Sequence, residues 1–127
     1  MSELIVVHES RESTRIVHIF NDIDIANASE FASEIESAAA GASQIVIELT
    51  WCKYLDACAL RVLVHSRNVY GKRLLIVAPP GSSAKRLLEI TELDGWFALA
   101  DSLDQVTCAP QRGLHLVINE ATERLAG

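Results

Sequence analysis

The sequence lacks a long apolar run, and this absence is the first limit on what the chain can be. Its longest uninterrupted apolar stretch, residues 74–80, is far shorter than the roughly 20 residues that a membrane-spanning helix needs. The first residues also lack the basic segment, long apolar region and small-residue cleavage site of a secretory signal. We therefore expect a soluble, cytoplasmic protein that has no membrane partner.

Cysteines are few, and basic residues are outnumbered by acidic ones. Cys52, Cys58 and Cys108 fit neither the paired spacing of a zinc site nor an even-numbered disulfide framework, so we expect reduced thiols. Eleven Lys and Arg against 17 Asp and Glu give a formal net charge of -6, which opposes phosphate backbones and anionic lipid. Nucleic acid is therefore not expected as a partner.

The signatures of common catalytic and cofactor sites are also missing. GxxxxGK[ST], GxGxxG and GxSxG do not occur, and the four histidines are widely spaced without an HxxxH or HExxH pattern. We expect no cofactor, no metal site and no enzymatic activity.

What the sequence does contain is the alternation of strand and helix signals that is typical of an α/β domain. Two β-rich runs, residues 4–7 and 15–20, lie on either side of the polar residues 9–14 and predict a hairpin. A helix follows, with Asn27 as its candidate cap and Glu30 three residues later, as in a capping box.

The middle of the chain predicts a strand, helix and strand. Apolar runs at 44–49 and 74–78 have strand length, and the helix between them begins near Asp56 and breaks at Gly71. A unit of this length should be parallel and right-handed. We therefore expect a mixed, mostly parallel sheet of four to five strands packed with about four helices.

The remaining elements are predicted from weaker signals. Ser82 or Ser83 caps a helix, residues 96–99 form a short strand, and another helix begins at Asp101. We expect one domain over residues 1–110 and a C-terminal extension over 111–127, which we predict to be a helix although its pattern also fits a strand. The extension either covers the domain's own core or mediates a homodimer.

The loop before the central helix holds the first candidate site. Asp56 is placed to cap that helix, and loops at the carboxyl ends of parallel strands form the usual functional edge of such sheets. Asp22 and Asp24 alternate, so both should point to one side, where paired carboxylates can serve acid-base chemistry or bind Mg²⁺. We favour a solvated turn, because no His, Lys or Arg accompanies them locally. Cys58 lies in the first helical turn, where nearby carboxylates oppose thiolate formation, so we expect an inert thiol.

Residues 21–28 read N-D-I-D-I-A-N-A, residues 45–60 read I-V-I-E-L-T-W-C-K-Y-L-D-A-C-A-L, and residues 86–97 read R-L-L-E-I-T-E-L-D-G-W-F. These three segments resemble the STAS domain, the fold of anti-sigma factor antagonists and related regulatory modules. Residues 21–28 look like the family's G-E-L-D-x-x-x-A turn, and 45–60 are similar to its V-x-x-D-L-S-x-V-x-x-x-D-S-S-G-L stretch. Residues 86–97 are similar to its V-x-x-x-L-x-x-x-G-L-x-x-x-F segment. The resemblance covers roughly residues 4–108.

The resemblance implies a phosphorylation switch, from which this chain departs. In the family, the second serine of D-S-S-G-L accepts phosphate from a partner kinase that is also the anti-sigma factor. Here the stretch reads Asp-Ala-Cys-Ala-Leu, so Cys58 occupies the acceptor position and serine phosphorylation there is impossible. The chain is then either a constitutively unphosphorylated antagonist or a scaffold that has lost the switch, unless Thr50 accepts phosphate instead.

We therefore expect a regulatory protein-protein interaction module whose partner is an anti-sigma factor or a related ATP-binding kinase-type protein. Trp51 is either an exposed docking anchor or half-buried packing. The alternatives are a module that senses a nucleotide or lipid at the same place, and a cysteine-based redox or transferase enzyme. The expected partner-binding residues are Asp22, Asp24, Trp51, Asp56, Ala57, Cys58 and Leu60.

Overall fold

A mixed five-stranded sheet forms the framework of the protein. The computed structural model describes residues 3–106, and its strands lie in the order β1-β2-β3-β4-β5. The first pair is antiparallel and the other three pairs are parallel, which confirms the predicted mostly parallel α/β fold. The strands are β1 (Val6–Arg11), β2 (Thr14–Ile19), β3 (Gln44–Glu48), β4 (Leu74–Val77) and β5 (Leu99–Ala100).

The helices connect the parallel strands and pack on one face of the sheet. They are α1 (Ala28–Ala39), α2 (Ala57–Tyr70) and α3 (Ser83–Ile90). Phe31 of α1, Leu63 of α2 and Leu88 of α3 are buried in one core with Ile47 and Ile76 of the sheet. Each such side chain contributes roughly 1.5 to 3 kcal/mol when it is fully buried.

The opposite face of the sheet carries a second, smaller apolar cluster beside a row of charged side chains. Ile16, Val46 and Val77 lie at the centre of this cluster, together with Ala100 and Val106. Because strand side chains alternate between faces, these residues interleave with those of the main core. The charged row on this face consists of Glu9 and Arg11 of β1, His18 of β2 and Glu48 of β3.

The hairpin is confirmed, but its turn is much shorter than the polar run predicted. Residues 9–11 continue β1, and the chain reverses at Glu12 and Ser13, with Glu12 at a positive φ of 54°. Glu9 is 4% exposed and pairs with His18 of β2. A charged residue therefore lies within the ladder because a partner on the next strand satisfies it.

The capping box predicted for α1 is wrong. Asn27 does occupy the cap position, but its side chain makes no capping hydrogen bond to the helix. The Glu30 carboxylate instead accepts a hydrogen bond from the amide of Leu4 at 3.3 Å. Asn27 is used by the loop before the helix and Glu30 by the segment before β1, so neither side chain is available to the free amides of the first turn of α1.

Towards the end of the described chain, the elements are shorter than predicted. The last strand pairs at Leu99–Ala100, whereas Trp96 and Phe97 form a turn in which both amides donate to the carbonyl of Leu93. A 3-10 turn, Leu103–Gln105, stands where a helix was expected from Asp101. The predictions for residues 111–127 lie outside the described residues. Within residues 3–106, no helix has the length and apolar character to cross a bilayer.

Candidate functional site

Two loops at the carboxyl ends of β2 and β3 hold the candidate residues, and the backbone joins them. We call residues 20–27, residues 49–56 and the first turn of α2 the carboxyl rim. Ile23 and Leu55 form a parallel bridge between the two loops. The amide of Ile23 donates to the carbonyl of Tyr54 at 2.9 Å, and the amide of Asp56 donates to the carbonyl of Ile23 at 3.2 Å. The loops therefore act as one platform.

A buried asparagine fixes the shape of the first loop. The Asn27 side chain accepts a hydrogen bond from the amide of Asp24 and donates one to the carbonyl of Asp22, each at 2.9 Å. The Asp24 carboxylate in turn accepts from the amide of Ala26 at 2.9 Å. Asp22 is exposed and Asp24 is half-buried, so the two predicted carboxylates have different surroundings.

Asp56 caps α2 as predicted. One carboxylate oxygen accepts hydrogen bonds from the amides of Cys58 at 2.8 Å and Ala59 at 3.3 Å. A helix start leaves several amides without partners, and a side-chain oxygen of this kind satisfies them. The anion-attracting amides of this helix start are therefore already occupied by a carboxylate of the chain itself.

The cysteines of the rim are in the reduced state, and one of them is buried. Cys52 is 1% exposed, and its thiol donates to the carbonyl of Tyr54 at 3.3 Å. Burial raises the pKa of the Cys52 thiol to about 11, so it stays protonated near neutral pH. Cys58 is half-buried and free. Of the two, Cys58 alone is accessible at the rim.

Three large side chains of the joined loops, Ile25, Trp51 and Tyr54, are exposed to solvent, and we refer to them together as the exposed patch. Ile25 is 78% exposed, Trp51 59% and Tyr54 54%. Trp51 therefore stands in solvent, which removes the alternative of half-buried packing. Ile25 and Tyr54 lie within the segments 21–26 and 51–60 that we expected to form the docking face, but the sequence did not single them out as partner-binding residues. Exposed groups of this kind mark interaction surfaces more often than isolated apolar residues do.

The remaining predicted residues differ in their accessibility. Ala57 is exposed in the first turn of α2, whereas Leu60 is partly buried and packs against the main core. Thr50, the alternative phosphate acceptor, is half-buried, and its hydroxyl donates to the carboxylate of Glu48.

The start of α3 also supports the rim, because the Ser83 hydroxyl donates a hydrogen bond to the carbonyl of Lys53.

Two cavities among the described residues lie away from the carboxyl rim. A cavity of about 140 Å³ lies between α1 and α2, and one of about 70 Å³ lies beside the hairpin turn. Neither is lined by rim residues, and sites for drug-sized ligands usually enclose about 300 Å³ or more. Within residues 3–106, no group of three or more His, Cys, Asp and Glu side chains is arranged to hold a metal ion.

Comparisons with known proteins agree with this fold. A family model described as STAS domain matches residues 6–106. An anti-sigma factor antagonist from Mycobacterium paratuberculosis is 24% identical, with a TM-score of 0.73 over 80% of this chain and 89% of that one. The anti-sigma factor antagonist SpoIIAA in its unphosphorylated form is 12% identical, with a TM-score of 0.59 over 98% of both chains.

A phosphorylated relative has the same fold. The Bacillus cell fate determinant SpoIIAA in its phosphorylated form is 13% identical to this chain, with a TM-score of 0.57 over 82% of this chain and 99% of that one. At these identities the likeness shows the fold alone. No curated protein matches the sequence.

Proposed function

Because the chain belongs to the STAS domain family, we propose that it is a regulatory protein-protein interaction module whose carboxyl rim docks onto another protein. The partner we propose is an anti-sigma factor or a related ATP-binding kinase-type protein, and the chain acts in the cytoplasm without catalysing a reaction. The family match over residues 6–106 and the likeness to anti-sigma factor antagonists support this class of function.

The observation that carries the proposal is the exposed patch of Ile25, Trp51 and Tyr54 on a braced platform. Aromatic residues supply most of the binding energy in many interfaces, and they do so best when they are already held in place. Here the bridge between Ile23 and Leu55 and the side chain of Asn27 fix the backbone beneath the patch. Binding would therefore order little additional chain.

Cys58 makes this module different from its switched relatives. It occupies the position where the family's motif has the acceptor serine, at the edge of the same rim. A phosphate would add nearly two negative charges beside the Asp56 carboxylate. A partner whose surface complements the unphosphorylated rim would then bind it differently. Since a thiol replaces the hydroxyl, we propose that the rim stays permanently in the unphosphorylated, binding-competent state.

Affinity capture from native extract, with bound proteins quantified by mass spectrometry, tests the proposal. Ile25→Asp places a charge in the patch, and Ile90→Asp is its matched control because Ile90 is 71% exposed on α3, outside the rim. We expect the wild type and Ile90→Asp to enrich an ATP-binding anti-sigma-type protein, and Ile25→Asp to lose it. Cys58→Asp should lose it as well, because this substitution adds charge at the acceptor position.

Two outcomes would overturn the proposal. One is that no such protein is enriched by the wild-type chain. The other is that Ile25→Asp and Ile90→Asp retain the partner equally well, which would place the interface elsewhere. Urea unfolding of each variant shows whether a loss of binding merely reflects a loss of folding.

A further inference from the structure

A histidine stands between two buried carboxylates on the sheet face opposite the helices. His18 of β2 approaches Glu9 of β1 with 2.7 Å between Nε2 and Oε1. Its Nδ1 atom lies 3.5 Å from Oε1 of Glu48 on β3. Glu9 and Glu48 are each 4% exposed. The proposed function uses none of these three residues.

The positions of these groups follow from the strand register. His18 and Glu48 are direct partners across the parallel β2 and β3 strands, so their side chains share a face. Glu9 stands opposite Ile16 and therefore reaches His18 diagonally. Its second carboxylate oxygen accepts a hydrogen bond from Nε of Arg11 at 2.6 Å. The row thus crosses three strands.

This arrangement matches a doubly protonated imidazole. A neutral histidine can donate its one N–H to Glu9, whereas an imidazolium also forms an ion pair with Glu48, whose Oε1 is buried and has no hydrogen-bond partner among the described residues. With His18 charged, the two glutamates are balanced by His18 and Arg11, and without that proton one buried negative charge has no counterpart. Burial acts to lower the pKa of His18, but the acceptors Glu48 and Glu9 outweigh it and raise that pKa above 6.5.

The same carboxylate that faces His18 also holds the carboxyl rim. The second oxygen of Glu48 accepts hydrogen bonds from the amide of Thr50, at 3.3 Å, and from its hydroxyl. Trp51, which follows immediately, is the exposed indole of the patch. A continuous path of contacts therefore leads from the imidazole to the beginning of the second rim loop.

We propose that His18 is a positioning residue for the rim. As an imidazolium it fixes the Glu48 carboxylate through an ion pair, and that carboxylate fixes Thr50 through hydrogen bonds. Thr50 in turn orients the adjacent Trp51. When His18 loses its proton, Glu48 loses its counter-charge on this face and the start of the loop loosens. This inference goes beyond the proposed function, because it concerns the free protein and needs no partner.

Histidine is the group in this row whose charge changes near neutral pH. Among residues 3–106, the charged groups that face His18 are Glu9 and Arg11 from β1 and Glu48 from β3, and the ring of Phe20 stacks beside it with centroids 6.0 Å apart. Glutamate and arginine side chains generally keep their charges from about pH 6 to about pH 8.5, whereas histidine titrates within that range. Because the chain has four histidines, a change of the rim over this range is assigned to His18 when His18→Gln abolishes it.

Two measurements on the free protein test the proposal. The imidazole titration of His18 is followed by NMR, and acrylamide quenching of Trp51 fluorescence is followed over the same pH range. The chain has two tryptophans, so Trp96→Phe leaves Trp51 as the single emitter. We expect His18 to titrate above pH 6.5, and Trp51 quenching to rise with pH at the same midpoint.

Matched variants separate positioning from a general effect of pH. His18→Gln should remove the pH dependence of Trp51 quenching, whereas His65→Gln, at an exposed histidine of α2, should retain it. Thr50→Val should leave the titration of His18 intact while Trp51 no longer follows it, because the hydroxyl link to Glu48 is cut.

The proposal is overturned if His18 in the wild-type protein titrates below pH 6.5, or if His18 titrates as expected while Trp51 quenching stays constant. The first result needs no variant, and the second needs only Trp96→Phe, whose folding is checked by urea unfolding. Because no partner is present, failure here is separate from failure of the proposed docking function.

Discussion

Ile23 and Leu55 lie side by side as a parallel bridge, although they are far apart in the chain. This pair continues the pairing of the parallel strands beyond β2 and β3 and turns two loops into one platform. Both side chains are buried, at 0% and 7% exposure, so the bridge is anchored in the main core. The exposed side chains on either side of it are thereby carried on a fixed backbone.

Loss of the Asn27 side chain should destabilise the fold. Asn27→Ala removes the hydrogen bonds to the backbone of Asp22 and Asp24, and at about 0.5 to 1.5 kcal/mol for each bond this lowers the free energy of unfolding by about 1 to 3 kcal/mol. Asn68→Ala, at an exposed asparagine of α2, is the control and should change it by less than about 0.5 kcal/mol. Urea unfolding measures both. Equal stability of the two variants would contradict a locking role for Asn27.

The two roles of Asp56 can be separated by substitution. Asp56→Ala should lower the free energy of unfolding by about 0.5 to 2 kcal/mol, because the amides of Cys58 and Ala59 lose their acceptor. Asp56→Asn keeps a good cap and removes the charge, so it should be nearly as stable as the wild type. If the asparagine variant is as unstable as the alanine variant, the carboxylate stabilises the protein through its charge instead.

The cysteines should differ in their rate of alkylation. In a Cys108→Ser background, Cys58 should be alkylated first near neutral pH because it is half-buried at the rim. Cys52 is 1% exposed and its pKa is raised to about 11 by burial, so its alkylation requires the loop to open. Peptide mapping after timed iodoacetamide treatment, with urea-unfolded protein as the control, measures this. Equal native rates would show that the rim opens freely.

The fold was predictable because its signals are local. The apolar runs of β3 and β4, the cap at Asp56 and the break at Gly71 each depend on residues close together in the chain. The capping box at Asn27 and Glu30 was predicted wrongly for the same reason. A local pattern does not reveal that a side chain is taken by a distant group, as Glu30 is by the amide of Leu4, 26 residues away.

The candidate site was predictable only in outline. The order of strands and helices indicates which loops meet at the carboxyl ends, so the positions of Asp22, Trp51 and Cys58 followed from the topology. The direction of a loop side chain depends on backbone contacts between loops, so the exposure of Ile25 was not predicted. The row around His18 was missed because its members come from three strands whose register the sequence does not state.

That row also predicts how stability depends on pH. The folded-state pKa of His18 is raised, so its contribution is fully present below about pH 6.5 and is lost as the pH rises through the folded value. Burial acts to raise the pKa of Glu9, but hydrogen bonds from His18 and Arg11 outweigh it and lower that pKa below 4.5. The contribution of Glu9 is therefore present above the unfolded value and is lost as the pH falls through the folded one.

The free energy of unfolding of the wild type should therefore decrease above about pH 6.5, with a slope of at most about 1.4 kcal/mol per pH unit for one proton. His18→Gln should flatten this decrease, whereas His65→Gln should leave it unchanged because that ring is exposed on α2. Urea midpoints from about pH 5 to about pH 8.5 measure the effect around the ordinary histidine value. An unchanged alkaline decrease in His18→Gln would show that another group is responsible, and that the imidazole stands between its carboxylates without stabilising them.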